Sequence, residues 1–178
     1  MISARLGKWF LLPTLKTHTT NLLQDLAAYL LAAPKRPRTL QRTAEMVQAE
    51  RQYRWVGIYK IVRGDFVIAA GTGEHPPAYA RFPVTQGLCG AAAERRETLI
   101  VGDVRKDPRW LPAFWTTQSE IVVPIMSETN GRVLGVIDVE SDKLEAFSED
   151  DRDFLEHVAV LMAGKLCTAK KKKHAVAH

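Results

Sequence analysis

Apolar residues in the first third of the chain recur at helical spacing. Leu22, Leu23, Leu26, Ala27, Leu30 and Leu31 share one face, which predicts a helix capped by Thr20 or Asn21 and running to about Ala33. Pro34 and Pro37 break it. A second helix, about Thr39 to Glu50, turns Leu40, Ala44, Val47 and Met46 inward. The pattern then changes to strands. Arg54 to Val62 is rich in β-branched and aromatic residues, Arg63-Gly64-Asp65 is a turn, and Phe66 to Gly71 returns.

Residues 71–77 form a loop with glycines and two prolines, and Tyr79 to Phe82 is a short strand. Gln86 to Arg96 reads as a helix opening at Gly87-Leu88-Cys89-Gly90, and Thr98 to Val101 as another short strand. Residues 103–118 carry two prolines and two tryptophans without periodicity. A loop of that length inside a compact domain is usually a lid or a binding loop. Ser119 to Ile125 and Arg132 to Glu140 form a hairpin around Asn130-Gly131. Ser148, with Asp151 three residues on, caps a last helix that buries Phe154, Leu155, Val158, Leu161, Met162 and Leu166. No internal repeat is visible.

This order predicts an α+β fold. A central antiparallel sheet carries the N- and C-terminal helices on one face. Loops and the inserted helix cover the other face and leave a ligand pocket there.

Composition sets the limits. With 178 residues, 46% hydrophobic and 25% charged, the chain is one globular domain that needs no covalent staples. The expected organisation is a flexible N-terminal extension over 1–19, a domain over 20–167 and a basic disordered tail over 168–178. Cys89 and Cys167 make no disulfide framework, and there is no CxxC or His/Cys spacing of a zinc site. No metal and no cofactor are expected, and a reducing, cytoplasmic compartment fits.

No apolar run reaches the roughly 20 residues of a membrane span. Arg5 and Lys8 precede Trp9-Phe10-Leu11-Leu12, but Pro13 interrupts that run and no cleavage site follows, so it is not read as a secretory signal. The net charge of +5 is misleading. Residues 1–43 hold seven Lys/Arg against one acid, Lys170–Lys173 add four charges, and residues 44–169 are net acidic with 14 basic and 19 acidic side chains. A nucleic-acid partner would need a basic face on the fold itself, so none is expected.

The candidate chemistry lies where strands should be apolar. Glu120 opens Glu-Ile-Val-Val-Pro, and Asp138 and Glu140 interrupt Gly-Val-Ile-Asp-Val-Glu-Ser. Asp138 and Glu140 share a face because strand side chains alternate. A two-residue turn at Asn130-Gly131 would set Glu120 on the opposite face, whereas an odd-length loop or one bulge would gather all three. Gathered, they form a cage for an amino group, and mutual repulsion leaves one acid protonated near neutral pH. Otherwise each acid sits at a strand end in water or pairs with an arginine.

Trp55 and Tyr59 face the same side of their strand and either wall a pocket or fill a core. Cys89 lies near a helix N-terminus, where the helix dipole favours a thiolate, although a lone cysteine beside Leu and Ala is more often a packed hydrophobe. Cys167 is not assigned a role.

Five blocks occur in the order and spacing of GAF domains. They are Trp-Val-Gly-Ile-Tyr (55–59), Gly-Leu-Cys-Gly-Ala-Ala-Ala (87–93), Ser-Glu-Ile-Val-Val-Pro (119–124), Gly-Val-Ile-Asp-Val-Glu-Ser (135–141) and Phe-Ser-Glu-Asp-Asp (147–151). The third and fourth resemble the free methionine-R-sulfoxide reductases more narrowly. The resemblance implies that Trp55 and Tyr59 meet the sulfoxide end of a ligand. It also implies that Glu120, Asp138 and Glu140 hold its amino group, with Glu140 replacing a usual Asp.

The cysteines depart from that family. Its nucleophile falls on Ala113 and its recycling cysteine on Tyr79, so only Cys89 remains. Attack on the sulfoxide sulfur needs a thiolate, and discharge of the resulting sulfenic acid needs a second thiol. The expected function is therefore a small-molecule binding or sensory domain for an amino-acid-like ligand. The alternatives are a reductase acting through Cys89 with an external thiol, and a homodimerising module that pairs its first and last helices. Residues 103–118, with Trp110, Phe114 and Trp115, are expected to cover the pocket.

Overall fold

The computed structural model describes residues 17–166. The expected basic tail, nearly all of the expected N-terminal extension and Cys167 lie outside them. The elements run α1 (Thr17–Ala32), α2 (Pro37–Arg51), β1 (Trp55–Val62), β2 (Asp65–Gly71), β3 (Arg81–Pro83), α3 (Gly87–Arg95), β4 (Leu99–Val101), β5 (Ser119–Met126), β6 (Val133–Ser141) and α4 (Glu149–Leu166). A single 3-10 turn, Val104–Lys106, interrupts the long loop. Pro37 opens α2, where a missing N–H costs nothing, instead of only ending α1.

The six strands pair antiparallel in the order β3-β2-β1-β6-β5-β4. Alternation along each strand then divides the apolar side chains between two layers. Val56, Ile58, Ile121, Val123, Ile125, Ile137 and Val139 face α1, α2 and α4, where they meet Leu26, Leu30, Val47, Phe154, Leu155, Val158 and Met162. The opposite face carries Trp55, Tyr59, Phe66, Phe82, Val122 and Val136, packed with Leu88 and Cys89 of α3 and with Val104. The three terminal helices thus share one face, as the sequence order predicted.

Ser148 and Asp151 form the expected reciprocal cap of α4. The Ser148 N–H donates to Asp151 Oδ2 at 2.9 Å, and the Asp151 N–H donates to Ser148 Oγ at 3.4 Å. Among the described residues no helix is long and apolar enough to cross a membrane.

Candidate functional site

The face of the sheet opposite the terminal helices carries the three acids. In β5 and β6 Glu120 opposes Glu140, and Val122 opposes Asp138. In β1 Trp55 opposes Glu140, and Gly57 opposes Asp138. Side chains at these positions project to the same side.

The register comes from a bulge. At the hairpin end the Ser127 N–H donates to the Arg132 carbonyl at 2.8 Å, and Met126 opposes Val133. Continued unbroken, that pairing would put Glu120 on the face away from Asp138. One residue later Ile125 opposes Gly135, so Leu134 is extra on β6, and every position beyond it shifts by one. The loop is longer than a two-residue turn, and the bulge brings the three acids together.

All three acids are buried, with Glu120 at 5%, Asp138 at 4% and Glu140 at 1% exposure. None of them forms an ion pair among the described residues. The alternative of strand-end acids in water or on arginines is not what the fold adopts. Glu120 and Asp138 are close neighbours, their ligand oxygens and the Cys89 sulfur all lying within 4.8 Å of one another. The Cys89 thiol donates to Asp138 Oδ2 at 3.6 Å. Asp138 Oδ1 is buried with no partner among the described residues. The Glu140 carboxylate accepts a short hydrogen bond from the Thr117 hydroxyl.

Burial, more than repulsion, controls how these groups titrate. It pushes Asp138 up to about 7, against the lowering effect of the Cys89 thiol and the Glu120 carboxyl beside it. It pushes Glu140 up to about 8, helped by the charge of Asp138 and opposed by Thr117. Glu120 is raised well above the carboxylate range by burial and then by the charges of Asp138 and Glu140. Cys89 is the third residue of α3, yet burial followed by the charges of Asp138 and Glu120 drives its thiol upward. Of the two readings of Cys89, the packed residue is the one the fold adopts, because one helix end is outweighed by dehydration beside acids.

A small cavity lies over these groups. It is lined by Tyr59, Tyr79, Phe82, Gly87, Leu88, Cys89, Leu111, Ala113, Glu120 and Asp138. Its free space is about 10 Å³, about the room one water needs. Ala113 and Tyr79, the positions where the resemblance places the two absent cysteines, both line it beside Cys89. The Ala78 N–H donates to the Ala113 carbonyl at 3.0 Å, which ties the two loops together. Tyr59 donates its hydroxyl to the Tyr79 carbonyl at 3.2 Å.

Trp55 and Glu140 adjoin the cavity without lining it. The Trp55 indole lies across Gly57, where an added Cβ would sit 2.1 Å from the ring, so only glycine fits there. Its other side meets Phe114 edge-on, with centroids 5.3 Å apart. The buried indole nitrogens of Trp55 and Trp110 have no acceptor among the described residues.

The cover over residues 103–118 is partly as expected. Trp110, Leu111 and Phe114 pack into the layer above the acids. Trp115 instead is 86% exposed, because it follows Phe114 directly and turns to the other side of the loop. The Arg54 guanidinium stacks 5.1 Å from the Phe114 centroid and donates to the Thr116 hydroxyl at 2.6 Å. Thr117, Leu111 and Phe82 were not foreseen as site residues. Phe82 and Leu111 have ordinary core identities, and Thr117 gains meaning only when the loop crosses Glu140. As to metals, the ligand atoms of Cys89, Glu120 and Asp138 all lie within 4.8 Å of one another.

Comparison with known proteins gives three levels of likeness. The GAF domain family model matches residues 36–166. GAF domain-containing protein A of Dictyostelium discoideum is 32% identical over 143 residues, covering 80% of this chain and 88% of that protein. The free methionine-R-sulfoxide reductase of Saccharomyces cerevisiae is 46% identical over 85 residues, covering 48% of this chain and 46% of the enzyme. Among solved structures, the type II free methionine-R-sulfoxide reductase from Thermoplasma acidophilum superposes with a TM-score of 0.69 at 31% identity, covering 80% of this chain and 95% of that one.

Proposed function

The chain belongs to the GAF domain family and is related to free methionine-R-sulfoxide reductases, and from that premise we propose that it binds a small amino-acid-like molecule through its ammonium group. The observation that carries this reading is the buried triad Glu120, Asp138 and Glu140, gathered on one sheet face with Asp138 Oδ1 unpartnered. Burial keeps these carboxyls protonated near neutral pH, and a cation entering the set lets them ionise against it, so the site favours a cationic group over a neutral one. An ammonium supplies three N–H donors to oxygens arranged around it. Trp55 and Tyr59 supply the aromatic wall for the ligand's side chain.

The free space holds about one water, so the ligand enters only when residues 103–118 withdraw. Ala113 stands where the related reductases would need a nucleophile, and an alanine cannot attack a sulfoxide. Calorimetry with methionine, its sulfoxides and branched amino acids tests the reading. Heat of binding that disappears in Asp138→Ala supports it; no heat from any of them contradicts it.

A second reading, sulfoxide reduction at Cys89, has one observation in its favour: the thiol lines the same cavity as Asp138. In that reaction the Cys89 thiolate attacks the sulfoxide sulfur, the S–O bond breaks and the oxygen passes to Cys89 as the sulfur–sulfur bond opens and methionine leaves; a small dithiol then reduces the sulfenic acid to the thiol and water and becomes a disulfide. Turnover of free L-methionine-R-sulfoxide with a dithiol, abolished by Cys89→Ser, would establish it. The raised thiol argues against it. Pairing of two copies through α1 and α4 belongs to the same proposal, because Leu31 and Val160 expose apolar side chains there; light scattering that returns a monomer mass would remove it.

A further inference from the structure

We propose that Cys89, Glu120 and Asp138 form a binding site for a divalent transition ion of the zinc class, sharing two acids with the ammonium site. The three residues come from α3, β5 and β6, so no spacing along the chain announces them. Their ligand atoms lie within 4.8 Å of one another, and all three side chains are buried. With Zn–S about 2.3 Å and Zn–O about 2.0–2.2 Å, a sulfur and an oxygen on one tetrahedral ion stand about 3.6 Å apart. Cys89 Sγ and Asp138 Oδ2 are separated by 3.6 Å.

A second observation points to the same ligand. Asp138 lines the cavity, and its Oδ1 has no partner among the described residues although the residue is buried. With Oδ2 set at ligand spacing from the sulfur, the free Oδ1 is a second oxygen that can turn to the same ion. The free space of about 10 Å³ admits an ion or a water with the cover closed, but nothing larger.

The donor set selects the metal. One sulfur and two carboxylates favour zinc and its neighbours over calcium or magnesium, which take oxygen alone. Each bond to the ion replaces a proton that passes to solvent, the thiol proton included. The ion carries two positive charges into a dehydrated acidic pocket. Because it uses Glu120 and Asp138, it excludes an ammonium while bound. The inference stands whether or not an amino acid binds, since calorimetry with amino acids is run in chelator and the metal titration is run without amino acid.

The test is a cobalt titration of the full chain, kept reduced with a phosphine. The expected result is one equivalent of ion and a thiolate-to-cobalt charge-transfer band in the near ultraviolet, displaced by zinc and unaffected by excess calcium or magnesium. Cys89→Ser should abolish the band, and Asp138→Asn should weaken zinc binding at least tenfold. Absence of the band in the unmodified chain overturns the proposal without any variant. A band that persists in Cys89→Ser, or zinc affinity unchanged in Asp138→Asn, overturns it as well.

Discussion

At the scale of single residues, Gly57 fixes Trp55. The indole occupies the space a Cβ would need, 2.1 Å from the nearest ring atom. Gly57→Ala should therefore push the ring toward Phe114 and cost about 1–3 kcal/mol, read as a lower urea midpoint with changed tryptophan fluorescence. The Trp55 and Tyr59 pair was legible in the sequence because alternation placed them on one face. The reason for the glycine between them was not, since it depends on where the ring lies. Asp138 is the other decisive residue. With its carboxyl raised to about 7, an incoming ammonium must displace a proton below that pH. Affinity for an amino acid should rise between pH 6 and 8, measured by calorimetry, and Asp138→Asn should remove both the binding and its pH dependence.

At the scale of elements, two features govern the site. The first is the Leu134 bulge, which rotates Glu120 onto the face of Asp138 and Glu140. Hydrophobic alternation located β5 and β6 within a residue of their observed ends. It could not choose the face, because a single extra residue in one strand inverts the answer. The second is the loop over residues 103–118, held by Arg54 stacking on Phe114 and donating to Thr116, and by Thr117 on Glu140. Its length and aromatic content marked it as a cover in the sequence. Which of its aromatics turn inward required the packed structure, and Trp115 turns out. Arg54 lies at the surface end of this clasp, so Arg54→Ala should speed hydrogen exchange across residues 110–117 severalfold. The urea midpoint should shift little, since surface contacts of this kind contribute only about 1 kcal/mol.

At the scale of the whole molecule, the buried acids give the domain an unusual pH profile. Asp138 and Glu140 hold protons to about 7 and about 8 in the folded state, whereas in the unfolded chain they ionise near pH 4. Between those limits the folded state binds more protons, so stability falls as pH rises, by on the order of 1 kcal/mol per pH unit for each proton held. Below that window the trend reverses. Asp107 is lowered by its hydrogen bonds from Arg109, and Asp151 is lowered by those from Ser148 against the effect of burial; the stability these contribute is lost as pH falls through their folded values. The melting temperature should peak near pH 5 and decline toward pH 8, and Asp138→Asn should flatten the decline. A flat profile in the unmodified chain would contradict the burial argument.

The fold class and the helix-covered face were legible because period and turn signals survive averaging over many residues. The acid site rested on a few positions whose relation is three-dimensional. If buried carboxylates hold an ammonium there, one comparison isolates that group. Calorimetry in chelator at pH 8 should be run with whichever free amino acid binds most tightly and with its N-acetyl derivative, which keeps the side chain and carboxylate but has no ammonium. The free amino acid should bind, and acetylation should weaken binding at least a hundredfold. Equal binding of the two, or binding of neither, would contradict that.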